Sequence, residues 1–168
     1  MTLLAGCSPN EGGRPRPMLT PSEEPTAATS AGAPPPSLRD LDACALLNTA
    51  LKGKQFPPAE DSDIGSENGC RSNKRGNSTA LDLDDQQGVD DVQAAPARIH
   101  DGRINGRRIV QVKENGGTAG MCQVLLEVST KSRAMVTVTL GSRGDTDQAC
   151  AEAMSTADAL EPQLPQAR

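Results

Sequence analysis

The sequence predicts an α+β domain: an antiparallel sheet of about four to five strands, with an N-terminal and a C-terminal helix packed on one face. Apolar and polar residues alternate in several segments between residues 78 and 140, which is the period of a half-buried strand. On either side of these segments, apolar residues recur at spacings of three and four, as in an amphipathic helix. Asn105-Gly106 separates two strand-like segments, as expected of a two-residue hairpin turn.

The first helix is predicted just after Leu38. Asp40 or Asp42 can cap it, because a carboxylate accepts hydrogen bonds from the free N–H groups of a first helical turn. Its apolar positions recur every three or four residues: Leu41, Cys44, Ala45, Leu47 and Leu51. Gly53 ends the helix. The polar segment 59–69 is predicted to be a loop that leads to Cys70.

The strands are predicted at 78–84, 103–104, 107–112, 121–129 and 134–140. In the fourth of these segments, Cys122, Val124 and Leu126 point to one side, and Gln123 and Glu127 point to the other. The short link 130–133 makes the last two strands an antiparallel hairpin. One face of such a sheet is expected to be dry and the other exposed to water.

A closing helix is predicted from about Asp145 to Leu160, capped by Asp145 or Thr146. Its apolar stripe consists of Ala149, Cys150, Ala153, Met154, Ala157 and Leu160. Prolines at 162 and 165 end it. Because the stripe is continuous, we expect this helix to lie across the dry face of the sheet.

Composition limits the classes of partner. The 168-residue chain carries a net charge of −5, and only 1% of its residues are aromatic. Nucleic-acid binding requires a basic surface, often with aromatic side chains that stack on bases. We therefore expect no nucleic-acid partner. Much of the 35% hydrophobic content is alanine, so the core is thin and would benefit from covalent crosslinks.

Leu4-Ala5-Gly6-Cys7 has the residue types of a bacterial lipoprotein box, in which the cysteine thiol accepts a diacylglyceryl group. Residues 1–7 are then the remnant of a signal peptide, 8–37 a disordered proline-rich tether, and 38–168 a single domain. Only six residues precede Cys7 and none is basic, so we expect the natural start to lie upstream. The predicted location is the extracytoplasmic face of the cell membrane, with the lipid on Cys7 as the attachment.

The other four cysteines predict two disulfides in an oxidising compartment. Four cysteines permit three pairings, and the sequence does not choose among them rigorously. Cys122 and Cys150 lie on inward faces of elements expected to pack together, which favours Cys122–Cys150 and leaves Cys44–Cys70. A zinc site is the rival use, but no pair has C-x2-4-C spacing, so no metal is expected.

Several segments together resemble the actinobacterial lipoprotein family known as domain of unknown function 3558. They are Leu4–Cys7 with the proline-rich tether, 41–47, Gly69-Cys70, 122–124, Ser132-Arg133, 149–153 and 161–165. The resemblance implies an exported, lipid-anchored α+β domain without an established activity. It also implies that tryptophan often stands two residues after the second domain cysteine, where this chain has Ser72.

Residues that often carry catalysis are sparse. His100, the sole histidine, stands beside Asp101 without a recognisable nucleophile motif, so a surface turn is the favoured interpretation. Five aspartates cluster at positions 82, 84, 85, 90 and 91, but Gln93 stands where a calcium loop needs glutamate. Arginines at 98, 103, 107 and 108 could contact lipid headgroups or wall polymers, or pair with those aspartates.

These observations predict a non-enzymatic envelope protein that binds a ligand or partner through its sheet or loops. An envelope protein, a lipid or a wall polymer is a possible partner, no cofactor is expected, and the chain is expected to be monomeric. Two alternatives stay open. One is a hydrolase of the cell wall that uses His100 or Asp101, and the other is a cytosolic thiol or metal-binding protein in which Cys7 carries no lipid.

Overall fold

The computed structural model describes residues 37–63, 65–141 and 144–166. Cys7 and residues 8–36 of the predicted tether lie outside the described residues. The described part contains one antiparallel sheet of seven strands in the order β1-β2-β3-β7-β6-β5-β4. The strands are β1 (Glu60–Asp61), β2 (Asn68–Lys74), β3 (Asn77–Asp84), β4 (Ile99–Ile104), β5 (Arg107–Lys113), β6 (Met121–Ser129) and β7 (Ser132–Leu140).

The expectation of four to five strands is wrong, because two strands precede the first predicted one. β1 and the start of β2 lie in the polar segment that predicted a loop. β2 carries no large apolar side chain, so hydrophobic periodicity does not detect it. Its backbone pairs with β3 along its whole length, from Asn68 opposite Leu83 to Lys74 opposite Asn77. Backbone pairing and two small inward side chains, Cys70 and Ser72, hold this strand in place.

Ser72 stands in β2 at the position where the resemblance implies a tryptophan. Its side chain is buried on the helix-covered side of β2, and its Oγ donates a hydrogen bond to the carbonyl of Pro57 at 2.7 Å. A buried hydroxyl needs such a partner, because leaving it without one costs about 1–3 kcal/mol. A polar contact to the α1–β1 connection thus occupies the position where the resemblance implies an aromatic ring.

The hairpin turns explain the register of the sheet. Asn105 and Gly106 join β4 to β5 with φ of 49° and 88°, the left-handed conformation that a type I′ turn requires. β6 and β7 are joined by the two residues 130–131, so β7 begins at Ser132, two residues earlier than predicted. A one-residue slip would exchange the two faces of the sheet, so these turns determine which side chains face the helices.

Two helices cover one face of the sheet. α1 (Ala43–Ala50) is capped by Asp42, whose Oδ1 accepts from Ala45 N at 2.8 Å. α2 (Thr146–Leu160) is capped by Asp145, which accepts from the N–H groups of Asp147 and Gln148. α1 packs on β2 and β3, α2 packs on β6 and β7, and the helices contact each other. The predicted placement of both helices on one face is found here.

Two disulfides link the helices to the sheet. Cys44–Cys70 joins α1 to β2, and Cys122–Cys150 joins β6 to α2. They are the two pairs that the sequence favours. Because each connects positions 26 or 28 residues apart, each contributes on the order of 3 kcal/mol by restricting the unfolded chain. That support matters here, since α2 turns alanines towards the core at positions 149, 153 and 157.

The second face is not uniformly wet, contrary to expectation. Segment 85–98 crosses it and buries Val89 against Val110, Val112 and Leu125 of β5 and β6. Hydrogen bonds from Arg133 hold this segment on the sheet. The guanidinium donates to the carbonyl of Gly88 at 2.9 Å and to Oε1 of Gln87 at 2.8 Å. The β2–β3–β7 half of the second face carries polar side chains instead, and we call this half the open face.

A buried ion pair closes the far end of the domain. Nε of Arg107 lies 3.0 Å from Oε1 of Glu161, and both side chains are at least nine-tenths buried. The guanidinium also donates to the carbonyls of Glu127 and Pro165 at 2.8 Å. Because the charge is paired and its N–H groups are satisfied, burial is tolerated. The pair holds the residues that follow α2 against β5 and β6.

Candidate ligand-binding site on the open face

A cavity of about 190 Å³ lies on the open face, over the middle of β3. Its floor is Ala80, which stands opposite Arg71 of β2 on one side and Thr137 of β7 on the other. The residues two positions before and after Ala80 on the same face are Ser78 and Asp82. A methyl group surrounded by four longer side chains leaves a hollow, so the small residue at position 80 creates the cavity.

Most of the residues that line the cavity are polar, although carbon atoms form the larger part of its surface. Ser78, Thr137 and Thr139 bring hydroxyl groups, Gln123 an amide, Arg71 a guanidinium and Asp82 a carboxyl group. Met121 and Met135 supply the apolar part. A mostly apolar surface with a few convergent polar groups is usual for small-molecule sites, and this cavity has that character but is smaller than the roughly 300–1,000 Å³ of drug-sized ones. It would therefore suit a small, polar molecule.

Asp82 is the unusual group of the site. Its side chain lines the cavity, yet the residue is only 4% exposed. Oδ1 is fully buried and accepts no hydrogen bond from any residue that the structure describes. Nine-tenths or more of the buried polar groups in proteins have a hydrogen-bond partner, so an orphan carboxylate oxygen requires an explanation. A carboxyl group that is kept beside a cavity at a cost in stability is typical of a functional site.

Two glycines allow the chain to cover Asp82 closely. A Cβ atom added at Gly65 would lie 2.8 Å from Oδ1, and one added at Gly69 would lie 2.9 Å from it. Gly65 also has φ of +110°, a conformation that other residues rarely adopt. Glycine at both positions therefore lets residues 65–69 approach the carboxyl group and shield it from water.

The environment changes the acidity of Asp82. Burial raises the pKa of its carboxyl group to about 6, since desolvation disfavours the charged form. The positive charges of Arg71 and Arg133 oppose this increase, and the negative charge of Asp84 adds to it. A carboxyl group that titrates near neutral pH in a cavity is a recognised mark of a functional site.

Arg71 faces the same cavity without a partner among the described residues. Its guanidinium forms no hydrogen bond or ion pair with any of them, although Asp82 lies diagonally across from it. Arg133 on the same face provides a contrast, because its guanidinium donates to two oxygens of the covering segment. Arg71 is therefore a cation with unused donors beside an anion with unused acceptors.

The hydroxyl groups complete the donor set. The amide of Gln123 is already engaged: Oε1 accepts from Nδ2 of Asn115 at 2.8 Å, and Nε2 lies 3.4 Å from Oγ1 of Thr137. The side chains of Ser78 and Thr139 form no hydrogen bond with other described residues. A ligand over Ala80 would meet hydroxyl groups on β3 and β7.

A larger groove of about 420 Å³ lies between the residues before α1 and the β6–β7 hairpin. Asp85 is the acidic group in its wall, and it already accepts hydrogen bonds from Ser37 Oγ and from the N–H groups of Leu38 and Arg39. Its carboxylate is therefore used to hold the start of the domain. The smaller cavity at Ala80 has the unsatisfied groups, so it is the better candidate site.

The structure separates the residues that the sequence singled out for chemistry. His100 lies exposed in the edge strand β4, which corrects its prediction as a turn residue. The next residue, Asp101, forms an ion pair with Arg108, with 3.0 Å between Oδ1 and Nη2. Arg108 also bonds Asp90 at 2.7 Å, so one of the arginines does pair with the acidic cluster.

The rest of the acidic cluster is dispersed among structural roles. Asp91 accepts from the N–H of Gly88 at 2.7 Å, and Asp84 lies 4.0 Å from Arg133. Asp82 is the member that lines the cavity. Near the first disulfide, Asp61 lies within 4.8 Å of the sulfur atoms of Cys44 and Cys70, but those sulfurs are bonded to each other.

Sequence reasoning missed most of the site. Arg71 lay in a segment without hydrophobic periodicity, and Ala80 is unremarkable in a strand. Asp82 stands between Leu81 and Leu83, so alternation placed it on the face expected to be wet and gave no sign of its burial. Thr137 and Thr139 lie on the face away from the helices, as the alternation of residues 134–140 predicts.

Together, the fold and site define an α+β domain with a one-sided helical layer and a polar cavity on the open face of its sheet. The chain belongs to the family described as Protein of unknown function (DUF3558), which it matches over residues 2–163. Comparison with curated proteins and comparison with solved structures gave no significant match. Within the described residues, neither helix has the length and apolar character needed to cross a membrane.

Replacement of Asp82 by asparagine should stabilise the domain in a pH-dependent way. The raised pKa means that the folded state binds this proton more tightly than the unfolded chain, so stability falls as pH rises from about 4 to about 6. The asparagine side chain of the variant carries no charge at any pH. We expect Asp82→Asn to raise the free energy of unfolding by roughly 2 kcal/mol above about pH 7, and by little below about pH 4.

Urea denaturation at a series of pH values measures this difference. Asp158→Asn is the matched control, because Asp158 is exposed on α2 and its replacement should leave the pH dependence unchanged. Parallel stability curves for wild type and Asp82→Asn across the whole pH range would show that the carboxyl group is not perturbed by burial.

Proposed function

We propose that this chain is a lipid-anchored cell-envelope protein whose domain binds a small polar molecule without catalysing a reaction. The observation that carries the binding role is the orphan carboxylate of Asp82 in a cavity of the open face. The lipoprotein box at Cys7 supports the anchor, and the two disulfides are consistent with an oxidising compartment. The family match supplies no function of its own.

The cavity suits binding because its supports are rigid. Four neighbouring strands carry nearly all of the lining groups, and the backbones of β2, β3, β7 and β6 are hydrogen-bonded to one another in that order. Sites on regular elements hold their groups more accurately than sites on loops. Helices and disulfides occupy the opposite face, so the polar side chains of the open face are not needed for the main core.

A binding role also fits the chemistry better than the hydrolase alternative. That alternative relied on His100 and Asp101, which lie on the edge strand, where Asp101 is bonded to Arg108. A general base needs an orienting partner and a nucleophile within reach. The cavity at Ala80 instead offers hydroxyl, carboxyl and guanidinium groups beside two methionine side chains. We therefore propose binding as the task of the domain.

The binding role predicts that small polar fragments bind over Ala80. In amide NMR spectra of the wild-type protein, a library of polar fragments should shift the resonances of Ala80, Thr137 and Thr139. In Ala80→Leu, the added side chain fills the hollow without changing any charge, so these shifts should disappear. A matched control is Ala45→Leu on the exposed part of α1, which should leave the shifts intact. Equal shifts in wild type and Ala80→Leu, or none in wild type, would contradict the binding role.

The anchor predicts a covalent lipid on Cys7. Expressed behind a bacterial lipoprotein signal peptide in a bacterial host, the protein should fractionate with membranes, and its N-terminal peptide should carry a diacylglyceryl mass on Cys7. Cys7→Ala removes the acceptor sulfur, so we expect loss of the lipid mass and of membrane fractionation. Recovery of the wild-type protein with an unmodified Cys7 thiol would contradict the anchor while leaving the binding role open.

A further inference from the structure

Two unused charges of opposite sign face each other across the floor of the cavity. Arg71 stands directly opposite Ala80, and Asp82 is two residues further along β3 on the same face. Side chains in this diagonal relation have Cα atoms roughly 7–8 Å apart. No ion pair within 4.0 Å joins them in the described structure. A space therefore remains between a guanidinium and a carboxylate.

Such an arrangement favours a molecule with both charges. A carboxylate can accept paired hydrogen bonds from a guanidinium, which is the strong geometry for arginine. An ammonium group donates up to three hydrogen bonds, and the carboxyl group of Asp82, which lines the cavity, can accept one of them. Ser78 and Thr137 flank Ala80 and can complete the contacts of either group.

The size of the cavity restricts the molecule further. At about 190 Å³ it holds a compact ligand, whose two charged groups must be close together to fit between neighbouring strands. The side chain of such a ligand would meet Met121 and Met135, which adapt to varied apolar shapes because their side chains are flexible. These features together describe a free amino acid with a small side chain.

We propose that the open-face cavity binds a small zwitterion of the α-amino acid class, with its ammonium group on Asp82 and its carboxylate on Arg71. This inference rests on the proposed binding function and specifies its ligand class. A ligand with one charge would leave either the buried carboxylate or the guanidinium without a partner. An unpaired buried carboxylate is costly, and the half-exposed guanidinium of Arg71 would lose charge-assisted hydrogen bonds, so the site discriminates against such ligands.

Calorimetric or NMR titration with four probes tests this class. The probes are alanine, N-acetylalanine, which lacks the ammonium group, alanine amide, which lacks the carboxylate, and glycerol, which has no charge. We expect at least one enantiomer of alanine to bind about 10- to 100-fold more tightly than each of the other three probes. The reason is that each lost charged hydrogen bond lowers the affinity by roughly 10- to 100-fold.

Variants test which side chain of the cavity binds each charged group of the ligand. Asp82→Asn should reduce the preference for alanine over N-acetylalanine, and Arg71→Gln should reduce its preference over alanine amide. Ala80→Leu should abolish binding of all four probes. Arg75→Gln is the matched control for Arg71→Gln, because Arg75 lies in the exposed β2–β3 turn. The comparison of probes on the wild-type protein decides the matter if a variant fails to fold.

The outcomes separate this inference from the proposed function. Equal or tighter binding of N-acetylalanine, alanine amide or glycerol would overturn the zwitterion, while binding over Ala80 itself would stand. If neither enantiomer of alanine binds, the zwitterion hypothesis is likewise overturned. The fragment experiment then tests the binding role independently. Binding of alanine that persists in Ala80→Leu would place the ligand elsewhere and overturn the inference.

Discussion

The structure depends on two helices held against one face of the sheet. α2 presents alanines to β6 and β7, which allows close packing but buries little apolar area per residue. The Cys122–Cys150 and Cys44–Cys70 bonds compensate, because they fix one helix to each half of the sheet. Most of the large aliphatic side chains of β3, β6 and β7 lie on that face, so the other face contributes little to the main core.

The two halves of the face without helices differ in what covers them. Over β5 and β6, segment 85–98 adds a second small apolar cluster, held by Arg133. Over β2, β3 and β7, the chain instead keeps Arg71, Asp82 and several hydroxyl groups around a single alanine. A buried carboxylate without a partner lowers stability, and proteins commonly retain such groups where a ligand or a reaction uses them. This contrast within one sheet face is the reason for locating the function at Ala80.

The sequence was sufficient for the parts of the fold that hydrophobic periodicity and turn chemistry determine. The alternation in β6 predicted the bounds of that strand correctly, and Asn105-Gly106 marked the turn between β4 and β5. Asp145, one of the two predicted caps, does cap α2. β2 was missed because its stability comes from pairing with β3 and not from its own side chains. The site was missed for a related reason: a cavity arises from the juxtaposition of strands, and no single segment contains it.

The central claim is that Asp82 is a buried carboxyl group whose Oδ1 accepts no hydrogen bond from the residues that the structure describes. A pH titration of its carboxyl carbon by NMR measures this directly, with the resonance assigned by its absence in Asp82→Asn. The account predicts a midpoint near pH 6, raised by burial against the field of Arg71 and Arg133. A midpoint at or below about pH 4 would show a solvated or paired carboxylate and would contradict the account.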